Sequence, residues 1–149
     1  MPRNLLSTIL TTLIINASLL AQNQSFSVIY DLTGAPDGAY PYAGLFRDSV
    51  GNLYGTTIMG GTGSCYNGIV HGCGTVFKVD PSGNETVLHN FVGGSDGAYP
   101  WASVVGDSSG NLYGTTLEGG SFSSGTVFKL DSAGQDKRQP MSTPPYYGA

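Results

Sequence analysis

Asp48–Thr57 reads DSVGNLYGTT and Asp107–Thr116 reads DSSGNLYGTT, two stretches that differ only in Val50 against Ser109. A duplication this close constrains the fold more than any other property of the chain, because the same unit must be able to pack on a copy of itself. The match runs well past those ten positions. Ser27–Leu32 (SVIYDL) is answered by Thr86–Phe91 (TVLHNF), and Gly34–Pro41 (GAPDGAYP) by Gly93–Pro100 (GGSDGAYP). Tyr42–Arg47 (YAGLFR) is answered by Trp101–Gly106 (WASVVG), and Thr75–Val79 (TVFKV) by Thr126–Leu130 (TVFKL). From Ser27 to Gly61 the second copy lies 59 positions on, as Asp48 does from Asp107; from Gly74 the offset is 51, as from Gly74 to Gly125. The difference of eight is an insertion in the first copy, within Thr62–Cys73, and it carries both cysteines.

Each period holds four short runs rich in β-branched and aromatic residues, separated by glycine-rich turns, the signature of strands rather than helices. The 23 glycines and nine tyrosines of the chain fit that reading. Four strands per period of ~40–50 residues is the arrangement of a β-propeller blade. A β-helix repeats over fewer residues, and a sandwich gains nothing from near-identical copies. The turns are specific to hairpins. D-x-x-G occurs at Asp48–Gly51, Asp80–Gly83, Asp107–Gly110 and Asp131–Gly134. In each, the Asp carboxylate can accept from backbone N–H groups just ahead while the Gly takes the positive φ that re-enters the partner strand. The expectation is an all-β fold of tandem four-stranded antiparallel repeats, β-propeller-like, with about two blades of an incomplete ring.

The ends read differently. Arg3 precedes the mostly apolar run Leu5–Leu20, which closes on Ala21 ahead of polar Gln22-Asn23-Gln24. A positive start, an apolar middle and a small boundary residue make a secretory signal peptide, with cleavage expected near Ala21. The run is shorter than the ~20 apolar residues that span a bilayer. Gln135–Ala149 (QDKRQPMSTPPYYGA) leaves the repeat pattern and reads as a disordered tail. The division is then residues 1–21 signal, 22–26 a short lead, 27–85 the first unit with its insertion, 86–134 the second unit, and 135–149 the tail. With Arg3 removed, five Lys/Arg face ten Asp/Glu. An acidic, charge-poor surface excludes nucleic acid, whose phosphates demand basic patches, and electrostatic docking on anionic membranes. Cys65 and Cys73, with seven residues between them, form a local disulfide in an exported chain. A metal pair with only His71 between them would lack a fourth ligand. In the chain-entropy model the small loop is worth roughly 2–3 kcal/mol.

The stretch DGAYPYAGLFRDSVGNLYGTT (Asp37–Thr57), with GTVFKVDPSGNETVLHNF (Gly74–Phe91) and the second copy of both, resembles the choice-of-anchor tandem repeat GloVer family. The resemblance covers about Ser27–Gly134 and implies an exported bacterial repeat protein of unassigned biochemical role. It brings no catalytic residues and no cofactor. The D-x-x-G-N-L-Y portion also resembles NHL-type and streptogramin-lyase-like propellers, which favours the propeller reading. Two departures from the family stand out, only about two full units and no recognisable anchor. Closed propellers have four or more blades. The chain therefore reads as a piece of a longer array, the alternative being self-association that completes one.

Four aromatics flank Pro41 and Pro100 at equivalent positions: Tyr40 and Tyr42 in the first copy, Tyr99 and Trp101 in the second. Exposed, they would suit stacking on sugar rings or contact with a cell-surface protein; the plainer reading is packing between repeats. Asp37 and Asp96, in the two GAYP turns, are the weak candidates for calcium, against the plainer reading of Asp-Gly turns, since each offers a single acid. Gly106–Gly110 (GDSSG) looks like the serine environment of a trypsin-like protease. Its twin Arg47–Gly51 (RDSVG) marks it as a repeat turn, and neither histidine recurs: His89 is matched by Tyr30, and His71 lies in the insertion. A base oriented by a carboxylate is not indicated. The favoured function is a secreted, non-catalytic binding or surface-interaction scaffold. The alternative, a propeller enzyme acting on a carbohydrate or lactone, rests on fold analogy.

Overall fold

The structure is a computed structural model and describes residues 25–131. The expected signal segment, most of the lead, the Asp131–Gly134 turn beyond its first residue and the expected tail lie outside the described residues. Within them the fold is all-β. Seven strands run in chain order: β1 (Phe46–Arg47), β2 (Leu53–Thr57), β3 (Thr75–Val79), β4 (Glu85–Asn90), β5 (Val105–Gly106), β6 (Leu112–Thr116) and β7 (Thr126–Leu130), with a single 3-10 turn at Gly94–Asp96. They make two antiparallel sheets, β1-β2-β3-β4 and β5-β6-β7, not closed on one another. This is the tandem, incomplete arrangement expected of propeller-like repeats.

Each D-x-x-G turn joins neighbouring strands, and the turns are built alike. Asp48 Oδ1 accepts from the N–H groups of Val50 and Asn52 at 3.0 and 2.9 Å, while Oδ2 accepts from Asn52 Nδ2 at 2.7 Å. Asp107 repeats this with Ser109 and Asn111, and Asp80 with Ser82 and Asn84. Gly51, Gly83 and Gly110 sit at φ 98°, 85° and 80°, where a Cβ would be strained. The conserved-looking second Thr of each GTT run locks the other end of its hairpin. Thr57 and Thr75 hydroxyls lie 2.8 Å apart across β2 and β3, and Thr116 and Thr126 hydroxyls lie 2.8 Å apart across β6 and β7. Register is thereby pinned at both ends of the central hairpin in each copy.

The core lies between the sheets. Cys73, Val76, Phe91, Ala98, Val104, Leu112 and Leu130 form one buried cluster drawn from both copies. Phe46 of β1 lies against Gly106 of β5, Thr56 Oγ1 donates to the Ala102 carbonyl at 3.0 Å, and Phe91 meets Phe128 edge to face at 5.2 Å. Neither sheet could bury its apolar face alone, which is the general reason repeats come in stacks.

The sheets divide the chain at a different phase from the sequence grouping. Thr86–Asn90, grouped by sequence with the second unit, hydrogen-bonds to β3 and completes the first sheet. Its counterpart Ser27–Leu32, expected as a strand, has no strand assignment. The physical reason is pairing order: this run bonds to the TVFK strand that precedes it, and no TVFK run lies ahead of Ser27. By the same logic the second sheet has three strands among the described residues rather than four.

Candidate functional site

The two GAYP turns are rigid platforms. Asp37 is buried and takes hydrogen bonds from Thr33 N at 3.1 Å, Thr33 Oγ1 at 2.8 Å and Tyr30 OH at 2.8 Å. Burial opposes its ionisation, but the bonds from Thr33 and Tyr30 outweigh that and hold the carboxyl below its ordinary range. The same bond, with the Asp37 charge behind it, pushes the Tyr30 phenol up to about 12. Nearby Glu85 is pushed up by burial and by Asp37, and its Oε1 has no hydrogen-bond partner among the described residues. In the second copy Asp96 accepts from Val92 N at 2.8 Å and meets His89 Nε2 at 3.2 Å. Both carboxylates, the weak calcium candidates, thus anchor turns. Among the described residues no three His, Cys, Asp or Glu side chains converge as a metal site.

The residue after each turn aspartate fits closely over the threonine pair. A Cβ on Gly38 would lie 2.3 Å from Thr57 Oγ1, and one on Gly97 would lie 2.5 Å from Thr116 Oγ1. Ala39 then bridges to Met59 and Ala98 to Glu118. Held at both sides, Tyr40 and Tyr99 adopt φ 60° and 58°, a left-handed conformation that costs a bulky residue roughly 1–2 kcal/mol. The surrounding bonds hold it: Tyr40 O accepts from Ile58 N, Tyr99 O accepts from Leu117 N, and Tyr99 N donates to Cys73 O.

The chain leaves each strained tyrosine through a proline and presents an aromatic. Tyr42 is 72% exposed and Trp101 55% exposed. Their ring centroids lie 6.5 Å apart with planes tilted by 48°, and Tyr40 sits 6.4 Å from Tyr42 on the other side. Tyr99 is half-buried and packs on the core. The four aromatics, expected as a set, line one shallow groove of about 460 Å³ between the repeats, with Asn67 and Leu117 on its rim. Asn67 comes from the insertion, where Cys65 and Cys73 are joined by a disulfide and Tyr66 stacks on His71 at 4.4 Å. The groove is therefore mostly apolar with a single amide from the part of the first copy that the second lacks.

The GDSSG stretch is a turn. Asp107 accepts from Ser109, Asn111 and Tyr113, and the Asn111 side chain, first among these, pulls its carboxyl down to about 2. His89 is engaged with Asp96, and His71 with Tyr66.

Three features escaped the sequence reading. The Asn and Tyr after each turn, Asn52 with Tyr54 and Asn111 with Tyr113, close on the turn aspartate; the signal was the longer motif D-x-x-G-N-x-Y. The role of the second Thr was visible only as its invariance between copies. Asn67 carried no signal, since its place on the rim depends on how the disulfide loop folds back.

The family model for the Gloeobacter/Verrucomicrobia repeat matches residues 17–139. No curated protein and no solved structure matches the chain.

Proposed function

The chain belongs to the Gloeobacter/Verrucomicrobia repeat family, and on that footing we propose that it is an exported, non-catalytic repeat module, propeller-like in build, whose aromatic groove binds carbohydrate. The observation that carries the proposal is the pair Tyr42 and Trp101. Two exposed rings from different repeats converge on one groove and are set there by strained, hydrogen-bonded loops. Concave, mostly apolar surfaces with few convergent polar groups are the usual form of a small-ligand site. Tyr and Trp are also the side chains that most often dominate binding energy. Pyranose rings offer flat C–H faces that fit tilted aromatic planes, and the Asn67 amide supplies both a donor and an acceptor for a hydroxyl. Export is supported by the Cys65–Cys73 disulfide, since such bonds persist in oxidising compartments.

A glycan array probed with the full chain and with Tyr42→Ala and Trp101→Ala tests the reading. Binding to a limited set of glycans is expected, weakened at least tenfold in either variant with unchanged thermal stability. Absence of any glycan signal, or binding indifferent to both substitutions, would sink it.

A further inference from the structure

The two sheets are stacked, and each leaves one face and one edge open. Between them, the back of the first sheet, with Phe46 and Val76, covers the front of the second, with Val104 and Leu112. The repeat relation says what the open faces are for. Leu45 is the counterpart of Val104; Val104 is 1% exposed beneath the first sheet, whereas Leu45 is 54% exposed. Val127 is the counterpart of Val76 and lies bare on the back of the second sheet. The front of sheet one and the back of sheet two are therefore the two halves of an interface that already exists once within the chain.

The edges tell the same story. β3 carries β4, but its counterpart β7 has β6 on one side and no strand on the other among the described residues. Ser27–Leu32 is the counterpart of the β4 run and has no strand partner there either. It is nonetheless held as β4 is held. Tyr30 OH donates to Asp37 as His89 Nε2 meets Asp96, and the Ile29 carbonyl lies beside Gly83 of the first sheet. Open edges present unpaired N–H and C=O groups that template a further strand.

We infer that the chain associates head to tail with a second copy of itself. The front of the first sheet of one copy stacks on the back of the second sheet of the other, and Ser27–Leu32 pairs antiparallel with Thr126–Leu130. The register follows that of β3 with β4. Lys78 pairs with Thr86 and Phe77 with Val87, which places Lys129 opposite Ser27 and Phe128 opposite Val28. Such a contact is heterologous, so its repetition gives a ring where the rotation closes and a filament where it does not.

The test uses Leu45→Asp, which spoils the front, and Val127→Asp, which spoils the back. Both sites are exposed in the single chain, so both variants keep the fold, as circular dichroism will check. Light scattering after size exclusion should give multiples of 15.5 kDa for the wild type at micromolar concentration. Each variant alone should be a monomer, and their mixture a one-to-one dimer, because only an intact front can meet an intact back. As a second measurement, Ser27→Cys mixed with Lys129→Cys should cross-link under oxidation to a dimer that neither variant forms alone. A monomeric wild type would overturn the inference, meaning that the edge is covered from within its own polypeptide. So would a variant mixture that stays monomeric, or an oligomer without the mixed cross-link, which would mean a different interface.

Discussion

Val76 and Val127 occupy the same place in the same letters, TVFK, yet Val76 is 0% exposed and Val127 is 83% exposed. Their hairpins are alike down to the threonine pair and the residue-by-residue register. What differs is the neighbour. Val76 lies beneath a second sheet and beside a fourth strand, and Val127 has neither among the described residues. Local sequence thus sets the hairpin, and the stacking of repeats sets burial. The insertion adds a second contrast, since only the first copy carries a disulfide across its central loop.

Removing that disulfide should have the largest effect. Cys65→Ser with Cys73→Ser is expected to lower stability by about 2–3 kcal/mol, read by urea unfolding. Hydrogen exchange should rise in the loop around Cys65 and Cys73 and leave β6 and β7 unchanged; equal loosening of both sheets would mean that the copies are more tightly coupled than their contacts suggest.

Truncating the two valines breaks the comparison more finely. Val76→Ala should cost about 2 kcal/mol from lost burial and an unfilled cavity, independent of protein concentration. In dilute protein Val127→Ala should cost under about 0.5 kcal/mol, as surface changes do. Its cost should grow with concentration as the head-to-tail contact forms. Equal costs in dilute protein would contradict the burial contrast.

The smallest expected effect is acid sensitivity at the turns. The folded Asp107 carboxyl sits at about 2, held down first by the Asn111 side chain, against an ordinary 3.8. A depressed acid stabilises the fold above its unfolded value and loses that contribution as pH falls toward the folded one. Asp48 and Asp80 are lowered as well, Asp80 chiefly by Asn84 and Asp48 by Asn52 and Tyr54 against the opposing effect of burial. Glu85 has the opposite sign: raised by burial and by Asp37, it destabilises when ionised, and acid relieves it. Melting temperature should therefore fall between about pH 4 and pH 2, and fall less steeply in Asp107→Asn. An identical slope in the variant would remove the turn from the account.

The repeat, the hairpin turns, the disulfide and the all-β class could all be read from the letters, because each rests on residues close in sequence or on a duplication. The phase of the sheets could not. SVIYDL and TVLHNF look equally strand-like, and which becomes a strand depends on whether a TVFK run precedes it. Exposure was hidden for a related reason. Tyr42 and Trp101 match position for position, but only the stacking of one repeat on the other brings their rings together. Asn67 reaches the groove through a loop closed by a distant cysteine, so no local pattern announced it.

Trp101 is the single tryptophan of the chain, so its fluorescence reports on the groove alone. Titration with the oligosaccharides selected on the array should shift or quench that emission saturably, with the response weakened in Tyr42→Ala at unchanged melting temperature. A tryptophan signal that stays flat while the same oligosaccharide binds by calorimetry would place the ligand elsewhere and contradict the assignment of the aromatic groove.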